Sequence, residues 1–268
     1  MAELKNTMEI FKLLDKSNCR ECNEKTCLAF AAAVFKGKRQ IGECPHLDRE
    51  TIEKYSGKTK RAQSIEEDMA DAVAQLKGKI PNIDLTATAD RVGGRFSNDK
   101  LTIRIFGRNF SVDSNGRLFS DIHINPWLAI PVLNYILEGG ETPVSGKWVP
   151  FRELSNGMVR NPLFQRRCED PLKRVADEYT DFFADLLDIF DGKQVDNLFD
   201  SDISIVLYPL PLVPMLICYW KPEEGMESSF HLFFDATAED NLHIDSIYTL
   251  TAGFVHMFEK IAIRHAVK

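Results

Sequence analysis

The chain has 268 residues, enough for one large or two modest domains, and 44% of them are hydrophobic, which supports a proper core. Its 40 acidic side chains outnumber 33 basic ones for a net charge of −7, so no broad positive field invites nucleic acid. No uninterrupted apolar run approaches the roughly 18 residues needed to cross a bilayer; the most apolar stretch, 203–220, is broken by Tyr208, Pro209, Pro211 and Pro214.

Residues 3–15 carry Leu4, Met8, Phe11 and Leu14 at helical spacing, an amphipathic pattern rather than the apolar core of a secretory signal. Four of the six cysteines follow, Cys19, Cys22, Cys27 and Cys44, at C-x2-C-x4-C-x16-C-P spacing. A close pair of thiolates on a tight loop, a third one turn later and a fourth returning after a helix suit a tetrahedral metal ion or a cubane cluster. The intervening helix is apolar from Leu28 to Phe35, and Gly37 and Gly42 let the chain turn back to Cys44 and Pro45. Zinc ribbons present two close C-x2-C pairs, whereas here there is one pair and Cys44 arrives alone. The order fits an iron–sulfur cluster better, with a structural four-cysteine zinc site as the other reading. Cys168 and Cys218 stand singly, and this cysteine usage suits a reducing cytoplasm rather than disulfides.

A polar helix is expected over 48–55, closed by Ser56-Gly57, and a second over 58–80 with Ile65, Met69, Val73 and Leu76 on one face. The charged, Gly-poor second segment reads as a connector. The expected division is an iron–sulfur domain at 1–47, a helical connector at 48–84 and a larger domain at 85–268. From Leu85 the pattern turns to alternation: Leu101, Ile103 and Ile105 face one way in a half-buried strand, Phe110 and Val112 continue it after Gly107, and Asp113-Ser114-Asn115-Gly116 signals a hairpin. Residues 125–137 read as a helix closed by Gly139-Gly140, with Pro131 able to kink it or mark its true start; 146–154 read as an extended segment and turn. Residues 170–190 read as one helix, apolar along Leu172, Val175, Phe182, Phe183, Leu186 and Phe190, and acidic opposite at Asp177, Asp181, Asp185 and Asp188. That acidic face is expected to be solvated, with docking of a basic partner as the alternative. Residues 203–207 and 213–220 are strand-like and joined by a Pro-rich turn, 230–235 is a third strand, and Asp245 or Ser246 opens a last helix. The fold class is α+β, with antiparallel strands and helices on one face.

The pattern of Cys19, Cys22, Cys27 and Cys44 with Phe30, Ala31, Gly37 and Pro45 resembles the small [4Fe–4S] domain of the corrinoid iron–sulfur protein large subunit and of electron-bifurcating membrane complexes of anaerobes. The resemblance covers about the first 47 residues and implies cluster ligation by those four cysteines. This chain departs from the family at Arg20-Glu21, where Pro and a small residue are frequent, and at Asn23, where Gly is common. Such departures alter hydrogen bonding to the sulfurs and hence the potential. The remainder resembles a family from anaerobes in which such a motif precedes a domain of unknown function, through LNYIL (133–137), GKWVPFREL (146–154), LPLVPMLICYWKPEEG (210–225) and LFFDATAEDNL (232–242). That second resemblance implies a cellular setting, not a reaction; Lys221-Pro222 replaces the family's usual Gly-Asp.

Within the larger domain His231 and Asp235 lie roughly 13 Å apart on one strand face and cannot chelate one ion. His243 and Asp245 sit at a helix entry, where Asp is expected as an N-cap. Trp220, Glu224 and Asp235 are the candidate cofactor-binding residues, with Trp220 offering an apolar face and an N–H donor at the mouth of an acidic loop. No Walker loop, complete Rossmann fingerprint, nucleophile elbow or H-E-x-x-H occurs. The expected function is an iron–sulfur redox accessory or electron-transfer protein of a cytoplasmic, anaerobic system. It would serve a redox partner or cofactor-bearing protein, by analogy a corrinoid or other tetrapyrrole system. A redox enzyme with its site in the α+β domain and a zinc-stabilised binding scaffold are the alternatives.

Overall fold

The computed structural model describes residue 4 and residues 6–56, 65–179 and 182–266, and the chain divides into two units, Met1–Met69 and Ala70–Lys268. In the first unit, Asn6 caps helix α1 (Thr7–Leu13) by accepting from the Glu9 N–H at 3.0 Å. Thr26 does the same for α2 (Cys27–Phe35), accepting from Ala29 N–H at 3.0 Å. Ile10 and Leu14 of α1 pack on Phe30, Ala31 and Val34 of α2, all buried. Gly37 takes the left-handed conformation (φ 67°) that ends α2, whereas Gly42 lies in a short 3-10 turn (Ile41–Glu43) close to Ile52. Helix α3 (Arg49–Tyr55) is capped by Asp48.

Of the helix expected over 58–80, residues 58–64 lie outside the described residues, and α4 spans Ile65–Lys79. The connector reading needs correction at its far end. Val73 and Leu76 pack against the core of the second unit and Ile80 is fully buried in it, so that unit begins at Ala70, within α4, and not at 85. Alternation also starts later than expected. Asp84 caps a helix, α5 (Leu85–Arg91), through Thr86 and Ala87 N–H groups, and buries Leu85, Thr88 and Ala89 at helical spacing.

An antiparallel meander follows: β1 (Arg95–Ser97), β2 (Lys100–Ile105), β3 (Arg108–Asp113) and β4 (Leu118–Ser120). Two of its turns, Asn98-Asp99 (φ 52° and 59°) and Phe106-Gly107 (φ 46° and 72°), put both central residues left-handed, the twist that tight hairpins favour. In the third, the Asp113 carboxylate accepts from Asn115 and Arg117 N–H groups. Helix α6 (Pro126–Glu138) starts at Pro126 behind an Asn125 cap, and Pro131 stays inside it. It ends at Gly139, where any side-chain carbon would overlap the Asn241 carbonyl.

The second sheet orders β5 (Trp148–Pro150) beside β9 (Ser229–Asp235), then β8 (Val213–Trp220), β7 (Ile203–Leu210) and β6 (Lys193–Gln194), every pair antiparallel. The single helix expected over 170–190 is instead several pieces. Helix α7 (Gly157–Phe164) runs through a π turn (Gln165–Glu169) into α8 (Asp170–Glu178); Tyr179 is extended, and α9 (Phe182–Asp188) follows. Pro171 would clash with the carbonyl four residues back in a regular helix, and the widened turn before it absorbs that clash. The Pro-rich turn is likewise shorter than expected: β7 continues through Pro209 by a register shift between Leu207 and Leu210, leaving Pro211-Leu212 as the turn. The shift puts the missing N–H of Pro209 where no ladder bond is needed, and the Tyr208 carbonyl accepts the Phe106 N–H at 2.8 Å, tying one sheet to the other. After α10 (Ala238–Asn241), α11 (Ile244–Ala266) begins one residue before Asp245, with the His243 carbonyl accepting from Ser246 and Ile247. The architecture is α+β, and among the described residues no helix is long and apolar enough to cross a membrane.

Two outcomes follow from this packing. Gly139→Ala is expected to cost about 3 kcal/mol by overpacking against Asn241, read as a lower urea midpoint at unchanged slope. A fragment of residues 70–268 is expected to unfold cooperatively. One of residues 85–268, stripped of Ile80 and the inner face of α4, should lose stability by an amount typical of a large core deletion, about 2–5 kcal/mol.

Candidate metal centre

The loop that leads into α2 is built from unusual backbone. Lys16, Asn18, Arg20 and Asn23 all adopt positive φ (64°, 54°, 68° and 61°) without being glycine. Left-handed residues between right-handed ones turn successive N–H groups to one side, the concavity that anionic clusters use, and such conformations persist where the surroundings enforce them. Asn18 supplies part of that enforcement. Its side-chain oxygen accepts the Cys27 N–H at 2.8 Å, while its own N–H donates to the Cys27 sulfur at 3.3 Å. Asp15 accepts from the Ser17 N–H and hydroxyl, and the Ser17 amide holds its carboxyl below the ordinary value.

Cys27, the first residue of α2, and Cys44 are buried, and Cys22 packs half-buried on the same apolar cluster. Burial pushes the Cys44 thiol up, and the adjacent Cys22, Asp15 and Cys27 charges add to the effect. Three of the four sulfur-bearing side chains thus share one partly dry neighbourhood in which a bare thiolate is penalised and a bound metal would compensate it. Cys19 lies at the exposed rim, its donor atom within 4.8 Å of those of Glu21 and His46. His46 Nε2 is 3.3 Å from Glu21 Oε2, and its Nδ1 is 3.9 Å from Asp15. An N–H already on a sulfur and soft thiol donors are what an iron–sulfur cluster takes. Asn18 was not singled out from the sequence; its place next to Cys19 is the signal that could have raised it.

The second unit treats its candidates differently. Trp220 lines a hollow with Asp202, Lys221, Glu223 and His231, and Glu224 belongs to the loop that follows Trp220. Asp235 is not with them. Trp220 pairs with Ser229 at the start of β9, whereas Asp235 ends that strand, six residues and roughly 20 Å further on. Asp235 is fully buried and accepts from Ser145 N–H (3.0 Å) and hydroxyl (2.9 Å), Gly146 N–H (2.7 Å) and Thr237 N–H (3.0 Å) and hydroxyl (2.7 Å). Burial alone would raise its pKa, but the Thr237 and Ser145 hydrogen bonds hold it below the ordinary value. It clamps the segment before β5 onto β9. His231 meets Ser229 at 3.2 Å and Glu169 at 3.5 Å, with its ring edge on Trp220. Asp245 is not an N-cap: its carboxylate accepts from Arg160 Nε at 2.8 Å, and the His243 ring accepts its N–H. Nor is the acidic face of α8 and α9 simply solvated. Asp177 accepts from Tyr219 at 2.9 Å, Ser228 at 2.6 Å and Lys173, and Asp185 from Tyr179; Asp181 lies outside the described residues. Burial pushes the Cys168 and Cys218 thiols up, away from reactivity.

Comparison with known proteins divides the chain in a similar way. Residues 14–46 match a family described as "Putative Fe-S cluster", and residues 84–257 match the family described as a domain of unknown function (DUF3786). The N-terminal stretch is 41% identical over 54 residues to the acetyl-CoA decarbonylase/synthase complex subunit gamma of Methanopyrus kandleri, covering 20% of this chain and 12% of that protein. It is 48% identical over 40 residues to the corrinoid/iron-sulfur protein large subunit of Moorella thermoacetica, covering 15% of this chain and 9% of that one. The chain therefore spans only about a tenth of the length of the curated relatives it matches. No solved structure matches it.

Asp235→Asn is expected to destabilise the protein by about 2–3 kcal/mol at neutral pH, because buried donors lose their carboxylate acceptor. The folded pKa of Asp235 is depressed, so its contribution is complete above the unfolded value of about 3.9 and is lost as pH falls through the lower folded value. Denaturant midpoints measured from pH 7 down to pH 2 should therefore converge for the two proteins at the acid end.

Proposed function

Because this chain belongs to the DUF3786 family and carries a segment similar to the iron–sulfur domain of corrinoid proteins, we propose that it is an electron-transfer or redox-accessory protein whose Cys19, Cys22, Cys27 and Cys44 hold one [4Fe–4S] cluster. The observation that carries this reading is that Cys22, Cys27 and Cys44 share one largely buried apolar cluster, with the Asn18 N–H on the Cys27 sulfur at 3.3 Å. A bound cluster would accept and pass on one electron at a time. The chain's own part is to shield the Cys27 and Cys44 side against Ile10 and Phe30 while leaving the Cys19 rim open to solvent, the side from which a partner could approach.

The printed names of the relatives supply the setting. One is a subunit of an acetyl-CoA decarbonylase/synthase complex and another a corrinoid/iron–sulfur subunit, and each is matched over only about a tenth of its length. By that likeness the partner here is a protein of anaerobic one-carbon metabolism, one bearing a corrinoid or another tetrapyrrole. The DUF3786 domain would serve to recognise that partner or its cofactor.

Anaerobic purification followed by metal analysis and absorption spectroscopy tests the cluster. A brown protein with about four iron atoms per chain is expected. Alanine at Cys19, Cys22, Cys27 or Cys44 should remove the visible absorption, and Cys168→Ala should leave it. One zinc and no iron would overturn the reading.

A further inference from the structure

Between α6 and α11 the second unit contains a cavity of about 370 Å³, within the range of small-molecule sites, about 300–1,000 Å³. Its floor is apolar: Phe106 and Phe254 stack at 4.9 Å with their planes 13° apart, and Leu128, Leu250 and Met257 surround them. Phe106 holds that place through its left-handed backbone (φ 46°) and the bond from its N–H to Tyr208. At Gly253 α11 comes close to Trp127: a side-chain carbon there would lie 3.1 Å from the Trp127 Cβ. Trp127 is 42% exposed at the mouth, where its ring and N–H are open to a ligand.

The rim is polar in one sense only. His123, His256 and Lys260 border the cavity, and among the described residues no carboxylate lines it, although the chain carries a net charge of −7. Glu178 and Glu259 line a neighbouring hollow that shares His256 and Lys260, not this one. An ammonium at the rim disfavours a cation, and two imidazoles beside it can each donate a hydrogen bond to an anion. Stacked rings below favour a flat apolar body.

We propose that this cavity binds a small, flat, apolar acid, its rings against Phe254 and Trp127 and its anionic group at Lys260, His123 and His256. The site lies wholly within the second unit and does not depend on what the four cysteines hold.

Titration calorimetry of the full chain with 2-naphthoate, 2-naphthylmethanol and 2-naphthylmethylamine tests it, since the three probes share a ring system and differ in charge. Naphthoate should bind most tightly and the amine most weakly. Lys260→Glu, an exposed change, should lower naphthoate affinity about tenfold, as expected for loss of one charge-assisted contact, and leave the alcohol unchanged. Met257→Trp, which fills the floor, should weaken naphthoate and the alcohol alike. Equal affinity for acid and amine, absence of naphthoate binding to the unaltered chain, or a Lys260→Glu protein that binds naphthoate as before would each overturn the proposal. If Met257→Trp does not fold, the charge series and the Lys260→Glu comparison still decide it.

Discussion

One backbone hydrogen bond, from the Phe106 amide to the Tyr208 carbonyl, ties the meander of the second unit to its five-stranded sheet. A meander and a five-stranded sheet could each form alone, but each would leave apolar side chains facing water. The bond exists because Phe106 accepts a left-handed turn and because the irregularity at Tyr208-Pro209 frees a carbonyl from its own ladder. Once made, it sends the Phe106 ring into the centre of the core, stacked on Phe254 and edge-on to Phe190. Strain at one residue is thereby repaid in aromatic packing around it.

The first unit meets a different constraint. It is small, and much of its apolar surface is spent on enclosing sulfur: Cys27 and Cys44 belong to the same cluster as Ile10, Phe30 and Val34. A metal bound by these thiols would be coupled to folding in this segment, because the residues that bury the thiols are also those that join α1 to α2. The larger unit carries its own much more extensive core and needs no such help.

The cysteine loop was legible because its signal is local: four clustered cysteines, a capped apolar helix and a glycine where a left-handed residue is required. The strands were legible for a similar reason, since Leu101, Ile103 and Ile105 alternate within a few residues of one another. What escaped were features decided by distant partners. Pro171 looks like a helix start until a π turn absorbs it, and Pro209 looks like a loop until Phe106 claims the neighbouring carbonyl. Ile80 looks like the tail of a connector until the core receives it. Asp235 reads as a candidate ligand beside Trp220 because both flank the same strand pair, and only the antiparallel register puts them at opposite ends. The basic rim joins His123, in the loop before α6, to His256 and Lys260 of α11, more than a hundred positions away, a juxtaposition with no trace in local pattern.

The unequal exposure of the four cysteines also sets an order of chemical vulnerability. Oxidation follows access, and a sulfenic acid formed on one thiol is captured by the nearest free neighbour. Cys19 stands in solvent and Cys22 is half-buried, while Cys27 and Cys44 are walled off, so an oxidant in solution meets Cys19 first. Damage would begin at the edge of the centre, where a mild reductant can reach it and reverse it, before it reached the sulfurs that hold the segment together.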